Sequence, residues 1–405
     1  MSLAVLTICT ATGSETTLIV STSKGVYYTA LDLMWYDNPL GPHSTLAAFK
    51  TLKIDDTHLV TTWGRGRHTS PKARKGRVEL IDITQPAEKT LLFQNNGLRI
   101  RDIQIYNNYL VAVGHDNADM HVYNLVTKKH IMFHLYGYDN GIAHALKLGD
   151  LDNDGIVECY VTYTTKNVTG GLGQEGSIVR VDIDWKTLKH KQQIVIDLYK
   201  DYASHAKEIA IFDWDNDNVD ELIVEVAPQV EVYDAGKYEF AEPMQFIAID
   251  KTGNRYSTHT LAQANVRLGR ELTIADIDQD GKQEIVFADY YETGIYVLEA
   301  KSDGSTAAGD NVNLSDTPWR LTKISLNEDS GTESMFPALR SNQVVYDPKS
   351  RLLIAAASSS PRNESSKNMA LHYFTIEKSA KQFWLQPLYV KQLPTNGDIW
   401  HILIE

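Results

Sequence analysis

The sequence predicts an all-β repeat protein. Short runs rich in β-branched and aromatic residues recur along the 405 residues, and polar turns separate them. An acidic loop between two such runs occurs three times. Its first aspartates lie at positions 150, 213 and 276, so both intervals are 63 residues. A fixed interval of this kind indicates a repeat architecture.

The acidic loops have the composition of calcium sites. In LGDLDNDGIVE, residues 148–158, the side chains of Asp150, Asp152 and Asp154 alternate as oxygen ligands, Ile156 offers a carbonyl oxygen, and Glu158 closes the set. Calcium takes about six to eight oxygen ligands. The closing carboxylate is the ninth residue of the loop rather than the twelfth, and strand-like runs flank the loop. The pattern therefore differs from an EF-hand and predicts a metal loop on a β-hairpin.

The second and third loops repeat this ligand set. Their ligands are Asp213, Asp215, Asp217, Val219 and Glu221, and then Asp276, Asp278, Asp280, Lys282 and Glu284. Gly155 and Gly281 occupy the position where the loop needs a positive φ, and the second loop has Asn218 there, a residue type that tolerates it. We therefore expect up to three structural calcium ions and no organic cofactor.

The three acidic units, roughly residues 142–325, resemble the FG-GAP repeats, also called VCBS repeats, of integrin-α-type β-propellers. This resemblance implies four-stranded antiparallel blades whose calcium loops join the first and second strands on one face. Four strands can be assigned in the first unit, namely HALKLGD, CYVTYTT, SIVRVDID and QQIVIDL. The three acidic units are thus expected to be three consecutive blades.

Copies without an acidic loop account for the rest of the chain. LAAFKTLKIDDTHLVTTWG, LRIRDIQIYNNYLVAVGH and VVYDPKSRLLIAAAS are each followed by a further strand-like run. The N-terminal LAVLTICT, TTLIVST and GVYYTAL and the C-terminal DIWHILIE are predicted to share one blade, which closes the ring and leaves no exposed sheet edge. We expect one domain, residues 1–405, folded as a seven-bladed β-propeller of four-stranded antiparallel blades.

Composition narrows the class of partner. The net charge of −13 argues against nucleic acid, and no apolar run is long enough to span a bilayer. Two cysteines are too few for a disulfide framework. The N-terminal segment MSLAVLTICTATGSE has no basic region of the kind that begins a signal peptide. We therefore expect a cytoplasmic protein with a small-molecule substrate, whose oligomeric state the sequence leaves open.

The face opposite the calcium loops is expected to be cationic and aromatic. His144, Lys207 and Arg270 each lie six residues before the first aspartate of a loop, and His205 is close to Lys207. Equivalent residues of consecutive blades point toward a common axis, so we predict these four as catalytic donors at the mouth of a central channel. The alternative is that they only cap the channel. Candidate substrate contacts on this face are Trp63, His68, His115, Arg267, Tyr291 and Phe336.

Three classes of function remain open. The favoured class is a biosynthetic enzyme that holds an apolar, partly acidic small molecule and steers a cycloaddition by proximity and hydrogen bonding. In size and repeat type the chain resembles the hetero-Diels–Alderases of fungal tropolonic sesquiterpene biosynthesis. The second class is a polysaccharide lyase or sugar dehydratase, with His144, His205 and Tyr291 as acid–base groups and Arg270 neutralising a carboxylate. The third is a lectin or adhesion-type binding module.

Overall fold

The protein is a seven-bladed β-propeller of antiparallel sheets with almost no helix. This confirms the fold that the sequence predicts. The computed structural model describes residues 17–22, 25–30, 46–65, 75–85, 88–135, 141–166, 172–202, 204–215, 217–227, 230–234, 237–240, 242–252, 255–266, 271–289, 294–300, 319–326, 341–357, 368–379, 382–396 and 399–404.

The two ends of the described chain meet in one blade, here called blade 7. It contains β1 (Thr17–Thr22), β2 (Gly25–Ala30) and β29 (Ile399–Ile404), and β1 pairs antiparallel with both of the others. This confirms that N-terminal and C-terminal strands share a blade. The predicted strand LAVLTICT lies outside the described residues. Blade 7 therefore closes the ring, because β29 packs against the inner strands of the first and sixth blades.

Blades 1 to 6 follow in chain order with four strands each. Blade 1 contains β3–β6 (Ala47–Lys53, His58–Gly64, Arg77–Asp82, Lys89–Gln94), and blade 2 contains β7–β10 (Ile100–Tyr106, Tyr109–Gly114, Asp119–Asn124, His130–His134). Blade 3 contains β11–β14 (Gly141–Gly149, Glu158–Lys166, Leu172–Ile183, His190–Asp197). Blade 4 contains β15, β16, β19 and β20 (Ala206–Phe212, Glu221–Val226, Met244–Thr252, Arg255–Ala264). Blade 5 contains β21–β24 (Thr273–Ala275, Glu284–Ala288, Ile295–Ala300, Trp319–Leu326), and blade 6 contains β25–β28 (Ser341–Asp347, Leu352–Ala357, Asn368–Ser379, Gln382–Asn396).

Apolar side chains fill the spaces between neighbouring blades. Between blades 3 and 4, for example, Tyr160 and Ile178 pack against Leu222, Val224 and Ile247, all of which are buried. A strand covered by a sheet on each side reads as a nearly continuous apolar run rather than as an alternating one. This explains why β16, with the sequence ELIVEV, is buried along its whole length.

The first strand of a blade, which lies nearest the central channel, carries a β-bulge at an equivalent position in blades 1, 3 and 4. The register shifts after Ala48 in blade 1, after Ala143 in blade 3 and after Ala206 in blade 4. In each case a side chain of the second strand accepts a hydrogen bond from the N–H group released by the bulge: Lys50 to Thr62 (3.0 Å), His144 to Thr162 (3.1 Å) and Lys207 to Glu225 (3.0 Å). A bulge re-aims the side chain that it carries. Lys50 and His144 accordingly line the central cavity.

Three features were not predicted from the sequence. A short helix, α1 (Leu198–Tyr202), connects blades 3 and 4, and a hairpin of β17 (Val230–Asp234) and β18 (Lys237–Phe240) is inserted between β16 and β19. The outer strands β24 and β28 also form a short parallel pair that joins blades 5 and 6. No helix in the described ranges combines the length and the apolar character needed to cross a membrane.

Candidate active site

The acidic loops lie where the sequence places them. Each connects the first and second strands of its blade, β11 to β12, β15 to β16 and β21 to β22. The predicted positive φ angles are present at Gly155 (82°), Asn218 (68°) and Gly281 (88°). Asn153 and Gln279 also have positive φ, at 52° and 64°. The first and third loops therefore have two left-handed positions rather than the single one expected, and the second loop shares the position at Asn218.

The first aspartate of each loop organises the turn that follows it. Asp150 accepts hydrogen bonds from the N–H groups of Asp154 (3.0 Å) and Gly155 (2.8 Å). Asp213 and Asp276 accept the corresponding pairs of N–H groups in the other two loops. These bonds hold the loop closed and keep its carboxylate oxygens close together.

Three groups of carboxylates are close enough together to hold a metal ion. They are Asp150, Asp152, Asp154 and Glu158; Asp213, Asp215 and Glu221; and Asp276, Asp278 and Asp280. Asp217 and Glu284 were predicted as ligands but are not in these groups. Asp217 accepts the N–H of Val219 (2.8 Å), and Glu284 accepts the N–H of Ile277 (2.9 Å). The carbonyl oxygens of Ile156, Val219 and Lys282 remain predicted ligands.

The electrostatics of the loops suit a cation with oxygen ligands. Burial raises the pKa of Glu158 to about 7 and the pKa values of Glu221 and Glu284 to about 8. The Oδ1 atom of Asp152 is buried, and within the described chain it has no hydrogen-bond partner. Buried carboxylates of this kind are stabilised by a bound divalent ion, so the residues present fit calcium.

Basic side chains already compensate two of the loops. Arg180 contacts Asp152 (3.2 Å) and Glu158 (2.9 Å) in the first loop, and Lys251 also pairs with Asp152. In the third loop Lys378 pairs with Asp278. The second loop has no such ion pair among the residues whose structure is described. A bound ion would therefore be most important for compensating the negative charge of this second loop.

Three of the four candidate catalytic residues, His144, His205 and Lys207, lie at the strand ends that are remote from the acidic loops. His144 lies in β11, Lys207 in β15, and His205 directly before β15. His115, in the turn between β8 and β9, packs edge-to-face on His144 with ring centroids 4.8 Å apart. Burial, then the charge of Arg101, and further the neighbouring histidines and Lys207 hold the pKa of His144 well below its usual range. This cluster therefore contains an imidazole that is neutral at neutral pH.

His144 has unused hydrogen-bonding capacity. It is only 7% exposed, and in the described structure neither ring nitrogen has a hydrogen-bond partner. Burial likewise lowers the pKa of His115 to about 3. Buried polar groups are normally paired, so a neutral, unpaired imidazole facing a cavity is a candidate ligand contact.

Side chains from five blades, most of them ionisable, line the cavity that contains His144. The lining residues are Phe49, Lys50, Arg101, Asp102, His144, Glu208 and Glu271. The Nζ atom of Lys50 lies 2.8 Å from Asp102 Oδ1 and 2.6 Å from Glu271 Oε1. Although burial opposes ionisation, Lys50 and then His401 hold the pKa of Glu271 well below its usual range. Glu271 is therefore ionised beside the ammonium group of Lys50.

The predicted substrate contacts have different outcomes. His115 joins His144 as described above. Trp63 does not face the channel, and that prediction is corrected: its side chain is fully buried between blades 7 and 1, where it packs with Ile19 and Ile81. A strand of this pattern does not reveal which of its aromatic side chains faces a neighbouring blade. His68, Arg267, Arg270, Tyr291 and Phe336 lie outside the described residues.

Sequence reasoning missed most of the cavity. Glu208 and Glu271 directly follow Lys207 and Arg270 in the sequence, so they also lie at equivalent positions, five residues before the first aspartate of a loop. This shared spacing is the signal that could have identified the two carboxylates. Lys50 and Asp102 lie in blades without an acidic loop, where no motif fixes the alignment. Their place in the cavity follows only from the three-dimensional arrangement of the blades around the channel.

Comparison with known proteins identifies the fold and no family. No family model and no curated protein sequence matches the chain. The chain is similar to a 6-phosphogluconolactonase-like protein from Bacteroides fragilis (TM-score 0.54, 11% identity, 98% of this chain and 100% of that one) and to a periplasmic gluconolactonase from Pseudomonas aeruginosa (0.53, 13%, 96% and 99%). It is also similar to a functionally unknown protein from Desulfotomaculum acetoxidans (0.52, 14%, 95% and 98%). At these identities the likeness extends to the propeller fold alone.

Proposed function

We propose that the protein is an enzyme that binds a small anionic molecule in the central channel and acts on it by hydrogen bonding and proton transfer. The observation that carries this proposal is His144, a buried imidazole whose ring nitrogens are unpaired within the described chain and which lines a charged cavity. A neutral imidazole both accepts a proton and orients a hydroxyl group. The lactonase names of two fold neighbours are compatible with an enzyme of this architecture.

The charges around His144 favour a substrate with an anionic oxygen. Arg101 lines the cavity, and the positive charges of Arg101 and Lys207 both lower the pKa of His144. Cations near the imidazole favour the binding of a carboxylate there. Lyases and dehydratases that act on sugar acids need this combination, a base next to a cation that neutralises the carboxylate. Of the classes left open by the sequence, the lyase or dehydratase class therefore has the strongest support.

A cycloaddition would use the same hydrogen-bond donors, but it would need apolar, aromatic side chains around the substrate. Trp63 was expected to be one of them, and it belongs to the core between two blades instead. Tyr291 and Phe336 lie outside the described residues. The part of the cavity that is described is lined by charged groups, which favours proton transfer over apolar enclosure.

The proposal is tested with His144→Ala, His144→Gln and Lys207→Met on a panel of uronate oligosaccharides and sugar acids. We expect the His144 variants to lose about a hundredfold or more in rate, since general acid–base catalysis contributes that much. Lys207→Met should raise KM for acidic substrates. His58→Ala, a change at a partly exposed histidine paired with Asp55, is the control. Full activity in both His144 variants would contradict the proposal.

We also propose that the acidic loops bind three calcium ions with a structural role. His144 and Asp150 are six residues apart along the chain, and a strand rises roughly 3.3 Å per residue, which separates them by about 20 Å. An ion at that distance does not touch a substrate beside His144. Its contribution is instead to hold the hairpin between the first and second strands.

A further inference from the structure

The cavity contains three carboxylates, and two of them are fully paired. Asp102 accepts hydrogen bonds from the N–H groups of Ile103 (2.7 Å) and Leu146 (2.8 Å) in addition to its contact with Lys50. Glu271 accepts a hydrogen bond from Gln343 Nε2 (3.0 Å) and also contacts Lys50. The ammonium group of Lys50 therefore already contacts both of these carboxylates.

Glu208 is the third carboxylate, and it has no such partner. It is only 4% exposed and lines the same cavity, yet it makes no hydrogen bond or ion pair within the described chain. The charged and titratable groups that face it are Glu271, Arg101, Asp102 and Lys147, together with Lys50 and His144 across the cavity.

The arrangement favours the protonated form of Glu208. A buried carboxyl group beside an ionised carboxylate such as Glu271 is more stable with its proton. Burial, and then the negative charge of Glu271, raise the pKa of Glu208 to about 8. At neutral pH it is therefore a hydrogen-bond donor, in contrast to an ordinary glutamate.

We infer that Glu208 donates a hydrogen bond from its carboxylic acid to an oxygen of the ligand, and that this ligand is a small carboxylate. The inference rests on the proposed function, because it assumes that this cavity is the ligand site. Four basic side chains, Lys50, Arg101, Lys147 and Lys207, line the cavity or act on Glu208 or His144, against the three carboxylates Asp102, Glu208 and Glu271. This excess of basic groups favours an anionic ligand.

The first experiment asks whether Glu208 carries a proton, without any ligand. Infrared spectra recorded from pH 6 to pH 10 in saturating calcium, which keeps Glu158, Glu221 and Glu284 ionised, should contain a protonated carboxyl band that disappears as the pH passes about 8. Glu208→Gln keeps the shape and a donor and should lack this band. Glu79→Gln, a change at a buried glutamate of blade 1 that pairs with Arg77, should keep it. The same band in Glu208→Gln would overturn the assignment.

The second experiment asks whether this proton is used in binding. Glycolate, lactate and gluconate are the probes, titrated by calorimetry at pH 9 in two buffers of different ionisation enthalpy. We expect the wild type to take up nearly one proton per anion bound, because Glu208 must regain its proton to donate. Glu208→Gln should bind within a few-fold of the wild type with no proton uptake, and Glu208→Ala should bind about tenfold more weakly.

Three results would overturn the inference: equal binding by the wild type and Glu208→Ala, proton uptake that persists in Glu208→Gln, or no binding of any probe to the wild type. Uncharged ethylene glycol is the control ligand and should not bind. If His144→Ala kept full activity while the Glu208 band and the proton uptake remained, the proposed function would fail and the assignment of Glu208 would stand.

Discussion

Replacing Asp215 by Ala removes a carboxylate from the acidic loop that no lysine or arginine contacts among the described residues. Asp213, Asp215 and Glu221 lie close together there, and burial raises the pKa of both Asp215 and Glu221. A bound calcium ion relieves this unfavourable burial of negative charge. The substitution is therefore expected to remove one of three ions and to lower the melting temperature only when calcium is present.

The size of the effect follows from mass action. At free calcium a hundredfold above Kd, one site stabilises the folded state by about 2.7 kcal/mol. For 405 residues an unfolding entropy of about 2.1 cal/mol/K per residue gives about 0.85 kcal/mol/K in total. One lost site should lower Tm by about 3 °C, and chelation of all three ions by about 10 °C.

Scanning calorimetry in calcium and in chelator, with the ion content measured on the same samples, tests this expectation. In calcium, Asp215→Ala should melt about 3 °C below the wild type and bind two ions instead of three. In chelator it should melt at or above the wild type, since a negative charge beside Asp213 and Asp217 has been removed. Asp56→Ala, at a side chain that is 98% exposed, is the control. An unchanged ion content, or a wild type indifferent to chelator, would refute the assignment of calcium to these loops.

Two further predictions concern pH and the cavity floor. In chelator the native protein holds protons on Glu158, Glu221 and Glu284 that the unfolded chain releases near pH 4.5, so urea midpoints should fall as the pH rises from 4.5 to about 8 and then level off. Saturating calcium should reduce this fall to the smaller one that Glu208 contributes. A midpoint independent of pH in chelator would contradict this. Glu271→Gln leaves the buried Lys50 without one of its two charged partners. In urea titrations it should lower the free energy of unfolding by about 3–5 kcal/mol. The double variant that also carries Lys50→Met should lose less. Additive losses in that double-mutant cycle would show that the two residues are not coupled.

The sequence predicts the parts of the fold that repeat and misses those that depend on ring closure. The acidic loops recur, so their place between first and second strands and the positive φ at Asn218 could be predicted, and both are confirmed. Lys50 and Glu271, by contrast, are 221 residues apart in the chain and meet only because blades 1 and 5 face one channel. No local pattern encodes that contact. The burial of Trp63 was missed for the same reason, since the blade that covers it comes from the ends of the chain.

The same pair of strands carries a metal loop at one end and a channel residue at the other. β12 begins at Glu158, which closes the first acidic loop, and it also contains Thr162, whose Oγ1 accepts hydrogen bonds from the N–H groups of His144 (3.1 Å) and Ala145 (2.8 Å). Loss of the ion would therefore act on His144 by loosening the hairpin of β11 and β12, not through the chemistry of the ion. Well below the melting transition, activity should be independent of ion occupancy, and it should fall only where the hairpin begins to open. A rate that follows calcium occupancy at a temperature where the fold is intact would instead assign the ion to the reaction.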